Sequence, residues 1–411
     1  MRIRSLLRRV LGVSRSVVLS GARWGDQGLE VSVQPRRGRR LRCGHCGRPA
    51  AGYDRRPQRR WRHLPLGPCA VWLCYAPRRV ECKRCGITTE QVPWAQGPRS
   101  RFTTALEETA AYWATFSDKS ATQRLLGISW RAVDEIVVRV VERKRDRSIL
   151  DGVRRIGIDE FSYRKRHHYL TLVVDHDRAR VIWAAPGRSS ETLAQFFREL
   201  GAQRTAQLEV ITTDLAGGYL KAIREHAPQA RIVFDRFHVQ RLASDALDQV
   251  RRQLMREAEE GDPRRALKRT RWALLKNPWN LTRRERGKLS ELQRLNAPLY
   301  RAYLLKESLA DLLSSLRPRH ATNRLQAWLD WASRSRLRPF IRVARTIREH
   351  RDGILAYVNE RLTNGLSEGI NNRIRMIARR AFGFHSPGPL IAMIFLANGG
   401  ISLEPVLPRP T

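Results

Sequence analysis

The sequence predicts a multidomain α/β protein, on three observations. Residues 99–144 and 242–357 carry apolar side chains at helical spacing, whereas residues 156–234 alternate short β-branched runs with helical stretches. Two Cys-x-x-Cys pairs, Cys43/Cys46 and Cys82/Cys85, precede the first helical region. Acids stand inside or at the ends of the apolar runs, as at Asp159, Asp214 and Asp235. A buried carboxylate costs several kcal/mol unless it is paired, hydrogen-bonded or bound to a metal. The 411 residues are enough for two to four domains with at least one sizeable core.

The 78 Lys and Arg against 39 Asp and Glu give a net charge of +39. So large an excess repels itself unless a polyanion absorbs it, and nucleic acid is the expected partner. A ribosome-associated or membrane-surface protein fits less well, because the charge is spread along an apolar-patterned chain. No apolar run reaches the eighteen or so residues that span a bilayer, and Met1 to Val10 lacks a signal-peptide core. A cytoplasmic, nucleoid-associated location without a membrane partner is therefore expected, and in that reducing compartment paired cysteines favour metal over disulfides.

In chain order, residues 1–40 hold a short basic helix, a strand at Leu29–Val33 and a polar arm at Arg36–Arg40. Each cysteine pair is a knuckle, since a two-residue spacer aims two thiolates at one ion and the following Gly47 or Gly86 permits the turn back. The 35 residues between the knuckles read as two strands, ending in Val71–Tyr75 and Arg78–Val80, that bring them together. One structural zinc ion on Cys43, Cys46, Cys82 and Cys85 is expected. A redox pair is the competing reading, and His45 or His63 could replace a thiolate. Cys69 and Cys74 are expected to be small buried apolar residues.

From Arg99 to Lys144 a first helix carries Phe102, Leu106, Ala110 and Trp113. A second ends at Gly127, and Ser129 caps a third whose apolar face is Ala132, Val133, Ile136, Val137 and Val140. This is a helix-turn-helix outline, which a three-helix core unrelated to DNA would share. On the third helix Trp130, Arg131 and Arg139 are the expected DNA contacts, although Asp134 and Glu135 on the same helix count against it.

After a linker the pattern turns to strands at Ile156–Tyr163, His168–Asp175 and Ala179–Ala185, with a basic hinge between the first two. A helix from about Ser189 to Leu200, a strand ending at Asp214, the turn at Ala216–Gly218, a second helix and a strand ending at Asp235 follow. That order is the ribonuclease-H-like fold, in which carboxylates on the first and fourth strands meet; Asp159 and Asp214 hold those places. Two divalent ions about 3.5–4 Å apart, held by such acids, neutralise the attacking and leaving oxygens of phosphodiester cleavage. A third acid is supplied by Glu368, in Ser367-Glu-Gly-Ile-Asn-Asn-Arg373, with Asn371 and Asn372 one turn on and Arg373, Arg375 and Arg379 farther along as DNA contacts.

As an ordered set, Gly157-Ile-Asp-Glu160, His168–Asp175, Thr213-Asp214 with Tyr219–Ile223, Asp235-Arg-Phe-His238 and Asn364–Asn372 resembles the ISL-three family of DDE transposases from bacterial insertion sequences. The double knuckle and the helix-turn-helix resemble that family's DNA-binding modules, so the likeness runs nearly end to end. It implies a catalytic triad of Asp159, Asp214 and Glu368 holding two magnesium ions, and a supporting role for Asp235 and His238. Asp235 also ends a strand and competes with Asp214 as second ligand; the strand order favours Asp214. Further implications are a helical insertion, an oligomer of the chain on DNA, and cleavage and rejoining of DNA at terminal inverted repeats. A non-catalytic DNA-binding regulator is the alternative. The expected divisions are a zinc-binding domain at 1–95, the helix-turn-helix at 96–150, a catalytic core at 151–241 and 358–411, and the insertion at 242–357. The four tryptophans Trp272, Trp279, Trp328 and Trp331 are expected in the insertion's core, Pro263, Pro278, Pro298 and Pro339 as helix breakers, and the tail after Ala381 against the catalytic domain.

Overall fold

A computed structural model describes residues 3–97, 100–164, 168–215, 218–258, 264, 267–268, 270–314, 320–360, 362, 365–384 and 386–403. The hinge at 165–167, the turn residues 216–217, Pro263 and the pair 363–364 lie outside the described residues. Two compact units emerge: Met1–Asp146 with Arg373–Thr411, and Arg147–Asn372.

The first unit opens with α1 (Ile3–Val10) and the hairpin β1 (Val17–Gly25) and β2 (Gly28–Pro35). It continues through β3 (Ala51–Arg55), β4 (Arg59–Leu66), β5 (Cys69–Tyr75), β6 (Arg78–Cys82) and β7 (Gly86–Thr89). These make two sheets, ordered β1-β2-β5-β4 and β3-β6-β7. Four strands, not two, therefore separate the knuckles. The sequence hides β3 and β4 because arginines occupy half or more of Arg59-Arg-Trp-Arg and the five residues of β3 are all exposed, so hydrogen bonding to β5 and β6, not an apolar alternation, defines them. The larger sheet buries Val31, Trp61, Val71 and Leu73 under Trp94, whose ring meets Trp61 and Tyr75 edge-on at 5.6 and 5.3 Å. His63 belongs to that interior, accepting from the Thr103 hydroxyl at 2.9 Å and donating to the Leu11 carbonyl at 2.8 Å, and burial keeps it neutral. Cys74 is buried as expected, but Cys69, at the start of β5, is only partly so.

Next come α2 (Thr104–Phe116), α3 (Lys119–Leu126) and α4 (Trp130–Lys144). Side chains of Thr103, Asp118 and Ser129 cap their N-termini, and Gly127 turns out of α3 at φ 60°. The fully buried Glu107 on α2 is compensated by Arg139 Nε at 3.0 Å and Arg143 Nη1 at 2.9 Å from α4.

The second unit holds β8 (Arg155–Arg164), β9 (His168–Asp175), β10 (Arg180–Pro186), α5 (Ser190–Leu200), α6 (Ala202–Thr205), β11 (Val210–Thr213), α7 (Leu220–His226) and β12 (Arg231–Phe234). The sheet order is β10-β9-β8-β11-β12; β8, β9 and β10 run antiparallel in sequence, while β11 is parallel to both β8 and β12. Period-two alternation divides β8 between two faces: Ile156 and Ile158 join Phe196, Phe197 and Ile223 of α5 and α7, leaving Gly157 and Asp159 on the other face.

A helical region follows: α8 (Arg236–Glu257), α9 (Arg271–Leu275), α10 (Arg283–Leu295), α11 (Ala297–Ser314), α12 (Ala321–Arg334), α13 (Arg338–Glu349) and α14 (Arg351–Glu360). Its core runs from Val239 and Leu247 through Leu309, Leu325 and Phe340 to Tyr357. Trp328 is in that core, but Trp272 and Trp279 are 62% and 77% exposed and Trp331 is also exposed. The expectation of four core tryptophans fails because Trp272 and Trp279 sit on elements of five and three residues, and Trp331 lies off the face that buries Leu325, Trp328, Leu329 and Ala332 of α12. Pro298 and Pro339 sit at the second position of their helices and Pro278 opens a short turn, so these prolines start elements where a missing N–H costs nothing.

The chain ends with α15 (Gly365–Arg380) and α16 (Pro387–Asn398). The tail differs from expectation: α16 packs on α4 and α2 within the first unit. Its apolar run, Leu390 to Leu396, has no polar face, so it is buried wherever a large apolar surface is offered, and α4 offers one. Among the described residues no helix is long and apolar enough to cross a membrane.

Candidate active site

Three acids line up across the middle of the five-stranded sheet. Thr212 pairs with Gly157 and Thr213 with Phe234, so continuing both registers sets Asp214 beside Asp159 on one side and beside Asp235 on the other. Parallel pairing delivers this because partnered positions lie at one level across adjacent strands. The ligand atoms of Asp214, Asp235 and His238 lie within 4.8 Å of one another. His238 Nε2 approaches Asp214 Oδ1 at 2.9 Å from the first turn of α8, whose N-terminus is capped by the Asp235 side chain through the Phe237 N–H.

Helix α15 reaches the sheet at Gly157. A Cβ there would stand 3.0 Å from Ser367 Oγ and 2.8 Å from His176 Nε2, so only glycine lets the helix come this close. One turn beyond Ser367, Asn371 Nδ2 donates to Asp159 Oδ2 at 2.7 Å, while the Glu160 N–H donates to Oδ1 at 2.7 Å. Asn371 is buried and its Oδ1, like Thr213 Oγ1 beside Asp214, has no hydrogen-bond partner among the described residues. His176 meets Thr212 Oγ1 at 2.8 Å, and burial lowers its pKa to about 4, which keeps it neutral.

Electrostatics mark Asp159 as the centre. Burial, then the Asp214 charge, push its carboxyl up to about 7. Burial also raises Asp235 and Glu160, the latter opposed by Arg188 at 3.7 Å. His238 is raised by its contact with Asp214, which favours the imidazolium. A site that leaves several acids short of positive charge is suited to a divalent cation with oxygen ligands.

Of the expected residues, Asp159, Asp214, Asp235, His238 and Asn371 are brought together. Glu368 is exposed on α15, one turn before Asn371, and does not join the close-set ligand group; Asn372 is exposed. Arg373, Arg375 and Arg379 are exposed along the same helix. On α4, Arg131 projects into solvent and pairs with Glu135, Trp130 lies 4.2 Å from the Lys119 ammonium, and Arg139 is drawn to Glu107. Ser367 and Gly157 were overlooked as positioning residues; a glycine inside a strand next to an acid was the signal that could have found them.

The four thiols Cys43, Cys46, Cys82 and Cys85 form the second group close enough to hold a metal ion. Gly47 and Gly86 both turn at φ 69°, as the knuckle reading requires, and His45 is exposed and outside the group. The N–H groups of Arg84 and Cys85 lower the Cys82 thiol to about 7, and its sulfur lies 3.6 Å from that of Cys46.

Comparison with known proteins decides the family. A family profile described as "Transposase", for the DDE transposases of ISL-three type, matches residues 156–394, more than half of the chain. The chain belongs to the ISL-three family of insertion-sequence transposases. It is 39% identical to the transposase for insertion sequence element IS1557 of Mycobacterium tuberculosis over 440 aligned residues, covering 99% of this chain and 98% of the relative. It is 32% identical to the transposase for insertion sequence element IS1001 of Bordetella parapertussis over 348 residues, covering 83% of this chain and 85% of that protein. The matched region contains every acid of the sheet site, the helical region and α15, so the transposase domain is a mixed α/β body.

Proposed function

We propose that the chain binds the terminal inverted repeats of its own insertion sequence and cuts and rejoins DNA there, with water and then the freed 3′-hydroxyl as successive nucleophiles. The alignment of Asp159, Asp214 and Asp235 across three adjacent parallel strands carries this reading. The strand order supports a ribonuclease-H-like core at 151–241, joined by the start of α15 and interrupted by a helical insertion at 242–357; the rest of the expected segment 358–411 belongs with the first unit. Residues 1–95 serve as a zinc-binding domain and 96–150 as a helix-turn-helix, with Trp130 and Arg131 toward DNA and Arg139 bracing α4. Arg373, Arg375 and Arg379 offer further phosphate contacts. The protein acts in the cytoplasm on the nucleoid, as an oligomer on its DNA.

Asp159, Asp214 and Glu368 are the proposed ligands of two magnesium ions. The fit rests on the donor set: the mutually repelling carboxylates of Asp159, Asp214 and Asp235, with the Asn371 carbonyl oxygen buried beside Asp159 and without a partner among the described residues. Bound magnesium supplies charge neutralisation on the oxygens of the scissile phosphodiester. The chain's own part is orientation. Asn371 and the Glu160 N–H fix both oxygens of Asp159, and His238 holds Asp214 while Asp235 ties the start of α8 to β12. One zinc ion on the four thiols is structural in this reading.

Purified chain, magnesium and a duplex carrying an element end with its flank test the proposal. Asp159→Asn, Asp214→Asn and Glu368→Gln should each lower cleavage by about a thousandfold or more, with end binding retained. Retained cleavage rejects that assignment, and binding without nicking by the unaltered chain would leave the regulator reading. The closeness of Asp214, Asp235 and His238 favours a second ligand set, with Asp235 in place of Glu368. In that case Asp235→Asn abolishes cleavage and Glu368→Gln does not.

A further inference from the structure

Helices α8 and α13 pack together and leave an open groove of about 800 Å³ lined by Gln249, Arg251, Arg252, Arg256, Arg338 and Arg342. Its charge is poorly compensated. Asp248 takes Arg251 at 2.8 Å and Arg252 at 2.9 Å, and Arg342 donates to the neutral Gln249 at 2.8 Å. Arg256, Arg338 and Arg342 make no ion pair among the described residues, so five arginines less one aspartate leave four positive charges in one groove.

The sequence of α13 sharpens the point. It buries Phe340, Val343, Ala344 and Ile347, and exposes Arg338, Arg342, Arg345 and Arg348 at spacings of four, three and three. Like charges at those spacings repel across a helix surface and weaken it by tenths of a kcal/mol per pair. A solvated helix would intersperse acids, yet Glu349 is the helix's single one. The row runs over ten residue steps, about 15 Å of helix, whereas one DNA strand advances about 3.4 Å per phosphate along the duplex axis. A single small anion would occupy one or two guanidinium groups; a row this long, continuing from Arg338 and Arg342 in the groove, matches several phosphates of a polyanion.

We infer that the α8–α13 groove is a sequence-independent seat for the phosphate backbone of duplex DNA, separate from the carboxylate site and the N-terminal modules. It rests on the reading of the chain as a protein that acts on DNA, not on which acids cleave it. Guanidinium groups with few acceptors around them read phosphates, so the groove adds affinity and orientation and leaves specificity to other elements.

The full chain and a random-sequence duplex of about 30 base pairs test this through the salt dependence of binding. Each lost phosphate contact lowers the slope of log K against log salt by about 0.9. Arg256→Gln, Arg338→Gln and Arg342→Gln combined should reduce it by about 2–3, and the matching triple lysine variant should retain most of it. The control combines Arg283→Gln, Arg284→Gln and Arg294→Gln, exposed arginines of α10 with the same charge change. Equal slopes for groove and control variants overturn the inference, as does a larger loss on duplex RNA than on DNA. In the unaltered chain, bound DNA should shield Arg338 and Arg342 from an arginine-selective dicarbonyl; unchanged labelling also overturns it. Asp159→Asn should show the same slopes, so loss of cleavage and loss of this seat are separate results.

Discussion

The two metal-capable clusters among the described residues are built in opposite ways. The thiol group draws on two short segments, Cys43 to Cys46 and Cys82 to Cys85, each closed by a left-handed glycine, and its sulfurs are soft ligands suited to zinc. The carboxylate group draws on the middle of β8, the ends of β11 and β12, and two helices, with Asp159 and Asn371 separated by 212 positions, and its oxygens are hard ligands suited to magnesium. The first joins two neighbouring turns, so an ion held there would clamp a local fold. The second is held by the fold, at an electrostatic cost seen in the raised Asp159. In the proposed function one cluster serves stability and the other chemistry.

That contrast makes opposite mutational signatures its sharpest test. Asp214→Asn should remove cleavage by about a thousandfold or more without lowering the unfolding temperature, whereas Cys46→Ser should release zinc and unfold the knuckle ribbon, read by metal content and proteolysis. Finding both effects in both variants would erase the distinction. Next in size is Gly157→Ala. The added methyl presses on Ser367 and His176, and overpacking of this kind costs about 1–3 kcal/mol. Because it moves Asn371 with α15, cleavage should fall more than stability; an unchanged rate would show that α15 does not position Asp159.

The pH dependence comes third. The Asp159 pKa lies above its ordinary 3.8, at about 7, so the folded state holds a proton that the unfolded state releases. Metal-free stability should therefore fall as pH rises from about 4 to about 7, and Asp159→Asn should flatten that fall in thermal melts. Magnesium displaces the same proton, so its apparent affinity should climb up to tenfold per pH unit below 7 and level off above. A flat affinity across that range would break the link. The smallest effect is expected from Asn371→Ala, which removes one hydrogen bond to Asp159 and costs about 1–3 kcal/mol in a charge-assisted contact. It should weaken magnesium binding and leave zinc content unchanged.

Local signals carried much of the fold. Gly127 and Ser129 set the boundary between α3 and α4, and the alternating runs from Ile156 to Phe234 located all five strands of the catalytic sheet. Both knuckles were legible, because a thiolate pair and its turn glycine are neighbours in sequence. Arginine-rich β3 and β4 were not, since pairing partners define them. Trp272 and Trp279 were misplaced because an apolar ring says nothing of the helix face available to bury it, and α16 was misplaced because a uniformly apolar helix has no directional pattern.

The sequence by itself determined which residues could do chemistry: four thiols in two knuckles, acids at the ends of apolar runs, and arginines in helical rows. Only the tertiary structure decided that Asp235 and His238 stand with Asp214, that Asn371 rather than Glu368 touches Asp159, and that α8 and α13 pool their arginines. The physical reason is range. Turns and helix caps are set by neighbours a few residues apart, whereas ligand sets and charged grooves depend on registers and helix packings that join positions up to two hundred residues apart.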